Sequence, residues 1–123
     1  MGIGELGREY SDGEVIIRQG EKGTQMYEIL SGEVEVTQDK EGKDVLLAVL
    51  GKGEFFGEMA LFDPEFRSAT IRARGKARVL TVDKRILMRR ISEDPSLALR
   101  LLEKMSRRIR HLDEEVVRLR KQE

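Results

Sequence analysis

At 123 residues, with 39% hydrophobic and 37% charged positions, the chain is long enough for one soluble globular core and too short for two. The absence of cysteine excludes disulfides, thiolate metal sites and cysteine nucleophiles, and the single histidine, His111, excludes multi-histidine metal centres and argues against a Ser-His-Asp hydrolase. The net charge is zero but uneven, with 11 Lys+Arg against 16 Asp+Glu in residues 1–83 and 12 against 7 in residues 84–123.

Residues 8 to about 83 carry short apolar runs punctuated by glycine. Val15–Ile17 follows a Ser11-Asp12-Gly13 turn. Gln25–Leu30 and Glu33–Thr37 flank Ser31-Gly32, which predicts a two-residue hairpin. Val34 and Val36 alternate with Glu33, Glu35 and Thr37, the period of a strand buried on one face. Asp39–Gly42 is the next turn, followed by a strand over Asp44–Leu50 and a Gly51-Lys52-Gly53 turn. Ala69–Ala73 and Ala77–Val82 predict two further strands around Gly75. Short strands at this spacing predict an antiparallel β jelly roll, a double-stranded β-helix.

After Asp83 the period becomes helical. Lys84–Ile91 predicts a short helix, and Asp94-Pro95 a new helix start with Asp94 as N-cap. From Ser96 onward no proline or glycine intervenes. Ala98, Leu102, Met105, Ile109, Leu112, Val116 and Leu119 recur at alternating spacings of four and three, a heptad stripe suited to a parallel homodimer seam. The alternative is one amphipathic helix lying on its own barrel, which a helix continuing beyond about Leu112 would outrun. Leu97 and Leu101 form a shorter second stripe suited to packing on the β region. The expected class is thus mostly β with C-terminal α, with residues 1–83 as the β core and 84–123 as lid and dimerisation helices of the same domain. The basic C-terminal part reads as a solvated helix, and no recognition helix follows a turn, so direct nucleic acid binding is not expected. With neither a bilayer-length apolar run nor a signal-peptide pattern, the expected location is cytoplasmic.

The segment Phe55–Thr70 concentrates the chemistry. Glu58 supplies a carboxylate suited to two sugar hydroxyls; Arg67, with Ser68 and tightly turned amides around Gly57, Met59 and Ala60, supplies donors suited to a phosphate. Read singly, Glu58 is a solvated loop acid and Arg67 a surface partner of Glu65 or Asp63; their joint placement favours a site for a ligand carrying both ribose and phosphate. Phe55, Phe56, Leu61 and Phe62 read as packing beneath the loop.

Gly20-Glu21-Lys22-Gly23, Tyr27–Gly32, Gly53–Glu58 and Arg67-Ser68-Ala69-Thr70 together resemble the cyclic nucleotide-binding domain of the catabolite activator protein family, also found in kinase regulatory subunits and nucleotide-gated channels. The likeness spans about residues 8–120. It implies that Glu58 accepts from the ribose 2′-hydroxyl and that Arg67 pairs with the cyclic phosphate, helped by Ser68 and Ala69. Phe56, Gly57, Met59 and Ala60 would line the turn, and Val36 and Leu47 would form the apolar wall beside the purine. Where that family commonly has proline before the phosphate arginine, this chain has Phe66, with Pro64 earlier. Where bacterial activators set a Thr-Ser pair against the purine, Leu112 and Asp113 stand here. Asp113 can accept from the adenine amino group or from guanine N1–H and the 2-amino group, while serine at position 68 leans toward adenine. His111 reads as a helix-surface residue.

The resemblance implies a non-catalytic sensor that binds a 3′,5′-cyclic mononucleotide, cAMP before cGMP, needs no other cofactor, and couples binding to the C-terminal helix. The alternative is a degenerate domain that dimerises without ligand. A metal-dependent cupin enzyme is disfavoured because residues 1–83 contain no histidine. With no helix-turn-helix, kinase or channel segment in the sequence, a stand-alone sensor and an excised fragment are equally compatible with it.

Overall fold

The computed structural model describes residues 7–61 and 67–122. Its element order is β1 (Arg8–Tyr10), β2 (Val15–Ile17), β3 (Met26–Lys40), β4 (Lys43–Gly51), β5 (Phe55–Phe56), a 3-10 turn (Glu58–Leu61), β6 (Thr70–Val82), α1 (Lys84–Glu93) and α2 (Ser96–Lys121). The chain divides into two units, Met1–Lys84 and Arg85–Glu123.

The β unit is antiparallel throughout, in the order β1-β6-β3-β4, with β2 paired to β6 and β5 to β3. Two long strands replace the four short ones expected. Ser31-Gly32 is a bulge inside β3, and Gly75 lies inside β6; the register steps from Ile29↔Val79 through Ser31↔Arg78 to Glu33↔Arg74. Gly32 sits at φ +80°, and a Cβ there would overlap the Lys76 carbonyl across the ladder. A glycine with positive φ serves a hairpin and a bulge equally well, and here the opposing strand requires the bulge.

Bulges also move the buried face along β3. Ile29, Val34 and Thr37 are buried at odd spacings, with register shifts on either side of Ser31 and again between Val36 and Thr37. A one-residue slip exchanges the two faces, so each shift re-aims the strand. The core joins Ile17, Ile29, Val34, Phe56, Ile71 and Val79 with neighbouring small residues. Each large apolar side chain buried this way contributes roughly 1.5–3 kcal/mol. The β3–β4 connection matches its expected turn: Glu41 (φ 56°) and Gly42 (φ 83°) are both left-handed, and the Gly42 N–H donates to Asp39 Oδ1 at 3.0 Å.

In the helical unit, α1 runs two residues beyond its expected end. Pro95 has helical angles, and the Asp94 carboxylate accepts from the Ser96 N–H at 3.2 Å and from its hydroxyl at 2.6 Å, so Asp94 caps α2. Leu97 and Leu101 are buried, whereas Leu102, Ile109, Leu112, Val116 and Leu119 are 50–61% exposed along one stripe.

Candidate functional site

β5 and the 3-10 turn set one side of the site. Phe56 is buried and stacks on Tyr27, with ring centroids 5.1 Å apart, which anchors the chain directly before Gly57. Gly57 turns at φ +76°, and its carbonyl accepts from the Ala60 N–H at 3.2 Å. Glu58 opens the 3-10 turn at 4% exposure, so it is not the solvated acid that a surface loop would give. Ala60 and Leu61 are buried beside it, while Met59 is 47% exposed.

Arg67 supplies the other side. Its guanidinium donates through Nη1 to the Gly57 carbonyl at 3.2 Å and through Nη2 to the Gln25 carbonyl at 2.9 Å. The side chain fits only because residue 23 is glycine, since a Cβ there would collide with the guanidinium. The Arg67 backbone is held equally firmly: its N–H donates to the Glu21 carbonyl at 2.7 Å, and its carbonyl accepts from the Gly20 N–H at 2.8 Å. Ser68 is exposed and Ala69 half-buried. The Ser68 carbonyl accepts from Gln38 Nε2 at 2.9 Å, and the Thr70 hydroxyl accepts from the Gln19 N–H at 3.0 Å. Among the described residues, no hydrogen bond engages the N–H groups of Ser68 and Ala69 or the Ser68 hydroxyl. The segment therefore presents three donors and a guanidinium, while both its carbonyls at 67 and 68 are occupied, which suits an anion.

A cleft of about 320 Å³ opens beside Arg67, bounded by Ile16–Arg18, the 21–25 loop and Tyr27. Three cationic residues, Arg18, Lys22 and Arg67, border it against Glu21, which pairs with Arg18 at 3.6 Å. Val36 is half-buried against the core and faces Ala48 and Ile71 across its two ladders; Leu47, the extra residue of the β4 bulge, is 50% exposed. Leu112 and Asp113 belong to α2 in the other unit, where both are exposed. Phe62, Asp63, Pro64, Glu65 and Phe66 lie outside the described residues.

The structure thus joins Gly57, Arg67, Ser68 and Ala69 in one constellation with Glu58 adjacent in the chain. It adds Gly23, Gln25, Gln19 and Gln38, which the sequence reading did not assign to the site. Gly23 belonged to a glycine motif already noted; the glutamines gave no signal, because their contacts span 30 to 51 residues. Among the described residues no group of three or more His, Cys, Asp and Glu is placed to hold a metal, and no helix is long and apolar enough to cross a membrane.

Residues 7–94 match the cyclic nucleotide-binding domain family. The cAMP-activated global transcriptional regulator CRP of Salmonella typhimurium is 34% identical over 110 residues, 88% of this chain and 52% of its own length. The catabolite activator protein of Thermus thermophilus shares the fold at TM-score 0.81 and 32% identity, over 94% of this chain and 56% of that one. An EAL enzyme solved in a cAMP-bound form has TM-score 0.63 and 35% identity, covering 82% of this chain and 28% of that one. Its cGMP-bound form has TM-score 0.62 and 34% identity, covering 79% and 26%. The chain spans about half or less of the length of the curated relatives it matches. With the jelly-roll fold and an anion-ready Arg67–Ala69 segment in place, the match over most of its length shows that the chain belongs to the cyclic nucleotide-binding domain family.

Proposed function

We propose that this chain is a regulatory sensor that binds a 3′,5′-cyclic mononucleotide, cAMP in preference to cGMP, and is not itself a catalyst. The observation that carries the reading is the Arg67–Ala69 segment, which combines N–H and hydroxyl donors that no described residue engages with a guanidinium held by the Gly57 and Gln25 carbonyls. The phosphate takes these donors, and the buried Glu58 carboxylate takes the ribose 2′-hydroxyl. Relatives support the ligand class: the Salmonella regulator is described as cAMP-activated, and the EAL enzyme has been solved with cAMP and with cGMP.

In this reading Val36 and Leu47 flank the purine. The sensor works in the cytoplasm as a homodimer joined by the exposed α2 stripe, and ligand binding shifts the helix position. Such coupling requires different ligand affinities in two helix states.

Calorimetric titration of nucleotide-stripped protein with cAMP and cGMP tests the proposal, with Arg67→Ala as control. Binding by the wild type is expected to be micromolar or tighter. The variant is expected to lose about 100-fold or more, because a charge-assisted contact to a partly desolvated phosphate is removed, at a cost of several kcal/mol. A folded dimer that gives no heat with either nucleotide would instead establish a dimerisation module without ligand.

A further inference from the structure

The last ladder pair between β3 and β6 is Thr37↔Thr70, and Arg67–Ala69 lies just beyond it. Past that point side chains and a neighbouring loop replace the ladder. Gln38, the next residue on β3, donates its amide to the Ser68 carbonyl at 2.9 Å. One position further, the Asp39 N–H donates to Gln19 Oε1 at 2.7 Å, and the Gln19 backbone N–H holds the Thr70 hydroxyl.

A peptide unit is planar and trans, so its carbonyl and its N–H point in opposite directions. Gripping one end therefore aims the other. The Gly20 N–H on the Arg67 carbonyl fixes the Ser68 N–H. The Gln38 amide on the Ser68 carbonyl fixes the Ala69 N–H in the same way. Left ungripped, that peptide can flip and present a carbonyl to an incoming anion, which repels it.

Building on the proposed cyclic nucleotide site, we propose that Gln38 is a positioning residue for the ligand phosphate: it holds the Ser68 carbonyl so that the Ala69 N–H donates to one exocyclic phosphate oxygen. Gln38 touches the protein segment and not the ligand. It is half-buried on a strand already paired to β4, so its amide is not needed to hold the sheet.

The test compares wild type, Gln38→Leu and Gln38→Glu by calorimetry with cAMP and with its two phosphorothioate diastereomers, each of which replaces one exocyclic oxygen with sulfur, a weak acceptor. Melting temperatures of the ligand-free proteins are measured in parallel. Gln38→Leu is expected to melt like wild type and to bind cAMP about tenfold more weakly, the scale of one hydrogen bond to a charged group. With one diastereomer the penalty is expected to shrink to about twofold or less, since the bond that Gln38 aims is already weakened. With the other it stays near tenfold. If Gln38→Leu melts lower, Gln38→Glu, which keeps the size of the side chain and loses the donor, takes its place. An equal penalty for all three ligands assigns Gln38 a general structural role and overturns the inference, as does unchanged affinity in both variants. Failure of the wild type to bind any of the ligands removes the functional reading and this inference together.

Discussion

At position 23 the relevant property is what is missing. Gly23 does not have a positive φ, so its value lies in the space it leaves for the Arg67 guanidinium. The colliding atoms are the far end of a flexible side chain, which can swing away at little cost to folding. Gly23→Ala is therefore expected to melt within about 2 °C of wild type while binding cyclic nucleotide at least about tenfold more weakly, because the fork no longer rests on the Gly57 and Gln25 carbonyls. Gly57→Ala should differ. Its φ of +76° strains any L side chain by about 1–2 kcal/mol, and its Cβ would stand 2.9 Å from Arg67 Nη1 and 3.1 Å from Ile17 Cδ1. It loses both stability and affinity. Gly51→Ala, with ordinary φ and open space around it, should lose neither. Melting curves and titrations on the three variants separate the two roles; a Gly23→Ala protein with wild-type affinity would show that the observed guanidinium position is not the binding one.

For the helices, local chemistry in the sequence was enough to place the start of α2. The Asp94 carboxylate is held below the usual carboxylate range first by its hydrogen bond from Ser96, with a backbone bond from the same residue and Arg100 adding to it. A depressed folded-state pKa means the contribution to stability is present above the unfolded value and disappears as pH falls through the folded one. Asp94→Ala is thus expected to lower the melting temperature at pH 7, with the difference closing as pH falls below about 4. The α2 stripe makes a second prediction. Ile109 and Val116 alternate with Leu112 and Leu119, a β-branched and leucine pattern that favours two parallel strands. In such a pair Arg108 falls opposite Asp113 of the second copy, and Glu115 opposite its Arg120, which places opposite charges together at both flanks. Ile109→Asp should give a monomer by sedimentation, whereas Val117→Asp, equally exposed but off the stripe, should leave a dimer. In the sheet the same sequence was less legible. Glu41-Gly42 made the turn expected of it, but Ser31-Gly32 and Gly75 became bulges, since positive φ suits both outcomes and only the strand opposite decides.

The molecule as a whole joins a β unit whose site is assembled from distant positions to a helix carrying an apolar stripe. Glu58, Arg67 and Ser68 could be nominated because one short segment carries them; Gly23, Gln25 and Gln38 could not, because nothing local to a strand end or a loop says that the Gln38 amide will meet a carbonyl 30 residues away or the Gln25 carbonyl a guanidinium 42 residues away. If binding in the first unit biases pairing through the second, the two equilibria share one coupling free energy, and reciprocity fixes its form. For each bound ligand, the factor by which ligand tightens the dimer must equal the factor by which dimerisation tightens ligand. We expect cAMP affinity measured on the Ile109→Asp monomer to be weaker than on the wild-type dimer, within the roughly 5–150-fold span typical of such coupling. The wild-type dimer dissociation constant, measured by sedimentation with and without saturating cAMP, should shift by that factor once for each bound ligand, two per dimer. Agreement between the two measurements makes α2 part of the sensing device. A monomer that binds cAMP as tightly as the dimer would confine sensing to the β unit and leave α2 as an assembly element whose state the ligand does not change.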